Sequence, residues 1–393
     1  MSHRLPVLVT GATGFIGSAI RRLAPSGQKL TLMTRARPGA ELASHEAHRA
    51  ADITEPHEVE SAVAGAGSII HCASYVGSDA GLAWRVNDRG TRHVVEAARF
   101  HGVRQITYVS TTGVYGRGEI QSADETHPTS PASEASRSRL AAERHVLDAG
   151  GTVIRPHLVY GHGDRWVIPL LVRLALAYGL QDADRVRVSF IKASELAAQV
   201  WALHQFAELA PAAVVVNADH GAPTNLSDAW KECETKLDLA NHLDQLAVTA
   251  GAPGPATHQR EMLSTDRWFA SRLQSLGIHI STTAFCLDQT MVRWYLHHLG
   301  LEPGQVPFPV CQEYPPLKRR ICCHEPWHVR KRRLCSTQPR IHRCLQNDSP
   351  LHLPLLCEEC ALWLLLPCST PARGFGRACH RQSFYHYPWD PKQ

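Results

Sequence analysis

The chain has 393 residues, 44% of them hydrophobic, enough to bury a sizeable core in one large domain or two ordinary ones. Its formal net charge of +5 is unevenly placed: residues 301–393 hold 13 Lys+Arg against 7 Asp+Glu, whereas residues 1–300 hold 28 against 29. A near-neutral body argues against nucleic acid as the main partner, because phosphate binding needs a clustered basic face.

The chain opens on MSHRLPVLVTG, which enters a strand at once, with no charged region followed by a long apolar one, so no signal peptide is expected. LPVLVTGATGFIGSAIRRL reads as strand, glycine-rich turn and apolar helix. Gly11, Gly14 and Gly17 stand at GxxGxxG spacing. The first two let backbone N–H groups approach a pyrophosphate, and the third lets the helix lie close on the strand. Gly11, Thr13, Gly14, Phe15, Ile16 and Gly17 are therefore expected to cradle a dinucleotide at the positive end of that helix. The next strand, KLTLMTRARPG, ends at Thr34 and is followed by Arg35 and Arg37. An acidic residue usually meets a bare ribose here, while arginine suits a 2′-phosphate, so NADP(H) is the expected cofactor. In AADIT, Asp52 suits the adenine amine and Ile53 the ring. SIIHCAS is a buried strand ending in small residues, which leaves room for the cofactor near Ala73 and Ser74; His71 in that run is read as a packed histidine.

Further motifs follow in order: VNDRGTRHVVEAA, ITYVSTTGVYG, VIRPHLVYGHGDR, VSFIKASELAAQV and VVVNADHGAPTNLSDAW. With GATGFIG they make the chain from about Pro6 to about Gly300 resemble the extended short-chain dehydrogenase/reductases, the NAD(P)-dependent epimerases, dehydratases and ketoreductases. That resemblance implies an α/β fold, a Rossmann-type doubly wound parallel sheet with a smaller C-terminal substrate-binding region. It also implies an oxidoreductase whose catalytic Ser/Thr falls on Thr111. The family's Tyr-x-x-x-Lys motif, however, aligns with ASRSR: Ala135 replaces the tyrosine and Arg139 the lysine. No tyrosine occurs between Tyr115 and Tyr160 to rescue the register.

Ala135 cannot donate a proton, while Arg139, a permanent cation, can still hold the nicotinamide ribose. Three readings stand. The first is NADPH-dependent reduction of a small-molecule ketone that activates itself, such as an aromatic polyketide carbonyl beside a hydroxyl, in the manner of atypical actinobacterial ketoreductases of antibiotic biosynthesis. In the second, another side chain replaces the tyrosine. Thr111 and Tyr115 lead, followed by Tyr75; Ser133, Ser136 and His157 are read as caps or structural groups. In the third, the domain is a silent NADP(H)-binding sensor or scaffold. A sugar-nucleotide epimerase or dehydratase is the further alternative, with Arg165, Arg173, Arg185 and Arg187 available to a pyrophosphate. Family members often dimerise through the helix bearing that motif.

VIPLLVRLALAYGL predicts a helix with Val167, Leu170, Leu171 and Leu174 on one face, bordering the substrate cleft beside Trp166. KLDLANHLDQLAVTAG predicts an amphipathic helix. The resulting division is 1–165 for the NADP-binding domain, 166–300 for a substrate-binding region interleaved with its sheet, and 301–393 for a tail. The tail holds nine of the 12 cysteines and 13 of the 25 prolines and shows no periodicity. Disorder or out-of-frame coding is the favoured account. Cys357 and Cys360, with Cys322, Cys323, His324 and His328, lack the regular spacing of a zinc site, so no metal is expected. The longest apolar stretch, LPLLCEECALWLLLP, is broken by Glu358 and Glu359 and is too short for a bilayer. Cys72, Cys233 and Cys286, scattered through the body, fit a reducing compartment, and a soluble cytoplasmic protein is expected.

Overall fold

The computed structural model describes residues 5–38, 42–178, 183–209, 213–242, 261 and 264–301. The zinc, disorder and coding readings of the tail fall outside them.

Six short β-branched runs are fully or largely buried: β1 (Val7–Thr10), β2 (Leu30–Thr34), β4 (Ser68–His71), β5 (Ile106–Val109), β7 (Thr152–Arg155) and β11 (Val214–Asn217). Apolar on both faces, such strands suit a parallel sheet covered on both sides. They form one with β3 (Glu46–Ala50), a polar strand that belongs at an edge, in the order β11-β7-β5-β4-β1-β2-β3. All pairings in it are parallel, for example Val9↔Leu32 and Val9↔Ile70. The order reverses between β1 and β4, and in open α/β sheets ligands bind outside the carboxyl ends of the strands at that crevice.

One face is covered by α1 (Phe15–Arg22) and α7 (Ala193–Leu209), where Ile20, Leu196, Val200 and Leu203 are buried. Trp201 joins them, its indole N–H donating to the Ile20 carbonyl at 2.9 Å. The other face carries α2 (Pro56–Val63), α4 (Gly90–Phe100) and α5 (Glu134–Asp148) through Val59, Val94, Val95, Ala142 and Val146. A short helix, α3 (Ala80–Ala83), enters α4 through a π-helical turn at Trp84–Arg89. Such turns inside helices often mark functional positions, and this one holds the buried Asn87.

The smaller lobe packs α6 (Val167–Tyr178), α8 (Leu226–Lys236) and α9 (Gln289–His298) through Ile168, Leu171, Ala229, Cys233, Met291 and Tyr295. Val167 and Leu170 are only half-buried, so the buried stripe of α6 is rotated slightly from the expected one, and Trp166 is 61% exposed. Asp164 begins α6: its carboxylate accepts from the backbone of Trp166, Val167 and Ile168 and from the Tyr295 hydroxyl, which fastens α9 to α6. Short strands complete the lobe: β8 (Leu158–Tyr160) pairs with β10 (Phe190–Lys192), and β12 (Thr224–Asn225), β9 (Arg187–Val188), β13 (Arg267–Phe269) and β6 (Ile120–Ala123) form a four-stranded sheet.

One expectation is corrected. The helix expected over residues 236–251 is absent over Leu237–His242, which form turns after α8 with Asp238 at φ 47°; residues 243–251 lie outside the described ones. After β10, the chain returns to the main sheet through α7 and β11.

Candidate active site

Gly11 turns the chain out of β1 at φ +64°, and a Cβ there would sit 2.8 Å from the Ala73 backbone. Gly17 is tighter: its Cβ would lie 2.2 Å from the Gly11 carbonyl oxygen, so glycine alone lets α1 start this close to the turn. Gly14 occupies the N-cap of α1 and makes no side-chain cap bond. The first N–H groups of α1 are thus left for an anion, as a pyrophosphate cradle requires. At the end of β2, Arg35 and Arg37 are both exposed. Asp52 is half-buried, with Oδ1 accepting from the Thr54 backbone and hydroxyl; Ile53 is buried against Gly90, whose Cβ would meet it at 3.0 Å.

His71 closes β4 in full burial. Its Nδ1 meets the Thr10 hydroxyl at 2.6 Å and its Nε2 the Thr91 hydroxyl at 2.9 Å, while its ring stacks on Tyr108. Thr91 donates to the Asn87 carbonyl, so it accepts from Nε2–H, and Thr10 donates to Nδ1. Burial lowers the imidazole pKa to about 3, which keeps it neutral. This histidine positions the turn. Asn87 fixes the next residues, accepting from the Tyr75 N–H and donating to the Tyr75 carbonyl and the Ser138 hydroxyl.

Ser133 caps α5 by accepting from the Ser136 N–H. The helix then presents half-buried Ala135 and, one turn on, Arg139. The Arg139 guanidinium donates to the Ser74 hydroxyl and the Val109 carbonyl, each at 3.3 Å, and lies beside the buried Tyr108 phenol. Its Nε is buried with no geometric hydrogen bond to the described residues, beside the Tyr108 hydroxyl, which likewise lacks one. Thr111 follows β5, half-buried, and its hydroxyl accepts from the Gly113 N–H at 3.1 Å. Arg139, Ser74, Ala73 and the Gly11 turn thus surround the carboxyl ends of β1, β4 and β5, and these residues fit a dinucleotide.

Tyr115 goes elsewhere. Its ring is 3% exposed, and its hydroxyl donates to Asn217 Oδ1 at 2.7 Å while accepting from Arg155 Nη1 at 3.0 Å. Burial pushes this phenol above its ordinary range. Its proton is committed, which corrects the expectation that it donates to substrate. Arg155 in turn pairs with Glu143 through two hydrogen bonds of 3.0 and 2.5 Å, and Glu143 accepts from Ser110. Arg155 lies in the motif VIRPHLVYGHGDR, but the Ser110–Glu143–Arg155–Tyr115–Asn217 chain was not foreseen from the sequence. The signal was a glutamate one turn after Arg139 on an otherwise small-residue face. Tyr75 is also drawn aside: its hydroxyl accepts from the Asp79 N–H at 3.2 Å, and its ring covers Gly77. His157 Nδ1 meets the Thr112 hydroxyl at 2.8 Å, and its backbone N–H donates to His220.

Of the four candidate cations of the smaller lobe, Arg187 bonds Asp266 and lies over the Trp268 ring, Arg165 and Arg185 are exposed, and Arg173 is half-buried on α6. Among the described residues no helix is long and apolar enough to cross a membrane.

Residues 7–218 match the model of the NAD dependent epimerase/dehydratase family. The chain is 29% identical over 276 residues to the 2-alkyl-3-oxoalkanoate reductase of Stenotrophomonas maltophilia, covering 63% of this chain and 77% of that one. It is 32% identical over 137 residues to the sterol-4-alpha-carboxylate 3-dehydrogenase of Saccharomyces cerevisiae, covering 32% of this chain and 39% of that one. In fold it is similar to the UDP-Glc/GlcNAc 4-epimerase from Campylobacter jejuni, at TM-score 0.56, 16% identity, and coverage of 76% of this chain and 98% of that one. The same holds for the Bordetella bronchiseptica enzyme WbmH, solved in complex with NAD+, at TM-score 0.55, 18% identity, and coverage of 71% and 94%. A seven-stranded parallel sheet, a glycine turn bare of side chains and a match spanning more than half the chain lead to one conclusion: the protein belongs to the NAD-dependent epimerase/dehydratase family of extended short-chain dehydrogenase/reductases, a family of oxidoreductases.

Proposed function

We propose that the protein reduces a small-molecule ketone with NADPH, the carbonyl being activated by a neighbouring hydroxyl of the substrate itself, as in an aromatic polyketide. The observation that carries this reading is the start of α5, where Ala135 stands at the position of the acid while Arg139 is anchored on Ser74 and Val109. When bound, the reduced nicotinamide supplies the hydride. The protein's own part is to hold and orient. Gly11, Gly14 and Gly17 would clear a path for the pyrophosphate, Arg35 and Arg37 would meet a 2′-phosphate, and Arg139 would hold the nicotinamide ribose. Thr111 offers a hydroxyl whose proton goes to no described group, for one hydrogen bond to the carbonyl oxygen. Holding two reactants in register is worth roughly 7–11 kcal/mol, whereas a general acid adds about 10²–10⁴-fold, so a substrate that brings its own donor offsets much of what Ala135 withholds. The name of the Stenotrophomonas relative, a reductase of 3-oxo acids, supports ketone reduction. Epimerisation of a nucleotide sugar is disfavoured, since a base must take a proton from the sugar and Ala135 offers none.

The test is NADPH consumption by the full chain with hydroxyl-flanked aromatic ketones, simple ketones, 3-oxo acids and nucleotide sugars, with NADPH binding measured alongside. Turnover confined to the hydroxyl-flanked ketones is expected. Tight binding without consumption across the panel would sink the reading in favour of a sensor or scaffold. Arg139→Met should weaken NADPH binding about tenfold with thermal stability unchanged, because one charge-assisted donor is removed.

A further inference from the structure

Three cysteines lie among the described residues, and their surroundings differ. Cys233 is fully buried in the smaller lobe and burial raises its thiol pKa; Cys72, behind the Gly11 turn, is pushed up to about 12 for the same reason. Cys286 is half-exposed, and its Sγ lies 3.1 Å from Lys192 Nζ. Both partners are held. Lys192 ends β10 and also donates to the Thr283 hydroxyl at 2.8 Å, which itself donates to Glu195. Cys286 is fixed through its backbone, its N–H and carbonyl meeting the Tyr160 hydroxyl at 3.3 and 3.4 Å. The pair therefore joins the body of the lobe to an irregular strap, residues 278–288. That strap contributes His279, Ile280, Ser281 and Thr282 to a cleft of about 350 Å³, with Asp219 and Gly221 opposite.

We infer that Lys192 and Cys286 form a peroxide-driven covalent crosslink that ties the strap to β10. The chemistry needs one oxidant, a hydroperoxide. In the first step the Cys286 sulfur attacks the O–O bond: an S–O bond forms, the peroxide leaves as water or alcohol, and sulfur has lost two electrons, giving a sulfenic acid. In the second step the lysine nitrogen displaces that hydroxyl from sulfur. An S–N bond forms, the S–O bond breaks, and the oxygen departs as water while the former ammonium releases a proton to solvent. Two features select this outcome over a disulfide. The nearest nucleophile to Cys286 is an amine already in hydrogen-bond contact, and of the other two described thiols Cys233 is buried while the half-buried Cys72 is held protonated by desolvation. Reduction by a small thiol reopens the S–N bond, so the tie is reversible. The inference does not depend on which ketone, if any, is reduced.

The test is peptide mapping of the full chain after brief treatment with hydrogen peroxide, without reductant. Trypsin should leave Lys192 uncut in a Val188–Lys231 peptide, joined to Leu273–Arg293 at the mass of the two peptides less two hydrogens. Dithiothreitol should restore the separate peptides. In Lys192→Arg, which keeps a cation at the site but offers no amine, the crosslinked mass should vanish and a dimedone-trapped sulfenic acid should accumulate on Leu273–Arg293. Cys286→Ser should abolish both products. The inference fails if Cys286 oxidises no faster than Cys233, or if it passes to sulfinic acid in the wild type with Lys192 still cleaved by trypsin.

Discussion

The start of α5 and the buried polar groups beneath its middle have opposite characters. Over its first two turns, Ala135 and Arg139 stand half-buried, with the Arg139 guanidinium beside the ends of β4 and β5. One turn further, Glu143 is 1% exposed and every group it touches is paired, through Ser110, Arg155, Tyr115 and Asn217. The difference teaches that the chemistry at the head of this helix can change without disturbing what holds the helix to the sheet. Alanine in place of a large side chain costs little where the space belongs to substrate. A change at Glu143 has no such outlet, because it strands a charge in the interior.

The largest expected effect breaks the retained half. Glu143→Ala leaves Arg155 buried and unpaired and should cost about 3–5 kcal/mol of stability, read as a lower urea midpoint. A loss under about 1 kcal/mol would mean that water reaches Arg155. The next works on the altered half. Ala135→Tyr returns an acid beside Arg139 and should raise NADPH-dependent turnover of a ketone without a neighbouring hydroxyl by on the order of 10²-fold, with no gain on a hydroxyl-flanked one. Equal gains on both would discard the self-activating substrate.

Acid probes the buried polar scaffold as a whole. Burial lowers the pKa of His71, His204 and His220 from 6.5 to about 3, so the unfolded chain binds more protons than the folded one between those values. Stability should be unaffected by these groups above pH 6.5 and fall below it, by about 1.4 kcal/mol per pH unit for each histidine. Urea midpoints at pH 7.5, 6.5 and 5.5 measure the slope; a flat profile would show that the imidazoles are hydrated. The smallest effect sharpens the ligand side. Thr111→Ala removes one hydrogen bond to the carbonyl, worth about 1 kcal/mol or roughly fivefold in kcat/KM, and should leave NADPH affinity unchanged.

Six strands of the main sheet were legible as short, mostly β-branched runs, the first followed by glycines that admit few alternatives, whereas the polar edge strand β3 gave no such signal. The positions of Ala135, Arg139 and Thr111 followed from local motifs. Tyr115 was not legible: its partner Asn217 is 102 residues away, and a tyrosine in GVYG reads the same whether its hydroxyl faces a cleft or another strand. The π-helical turn that aims Asn87 was not foreseen, since a bulge of one residue over so short a segment leaves no periodicity of its own to read. Residues 237–242 differ in the other direction. Their periodicity suits a helix, yet the chain leaves α8 at Leu237 through turns.

Asn217 carries a consequence for how the molecule is made. It accepts from Tyr115, receives the Ser271 hydroxyl on its own carbonyl, donates its backbone N–H to Glu125, and donates its side-chain amide to the Ala123 and Ala270 carbonyls. A nascent chain that has emerged only to residue 165 holds the glycine turn, α1 and six strands of the main sheet. It lacks α7 to cover the apolar face of α1 and the asparagine that satisfies Tyr115. Such an intermediate shows bare apolar surface and a buried hydroxyl without its acceptor, the conditions under which partly made domains stick to one another or occupy chaperones. The half of the molecule that is synthesised first therefore cannot be completed until much of the second has left the ribosome.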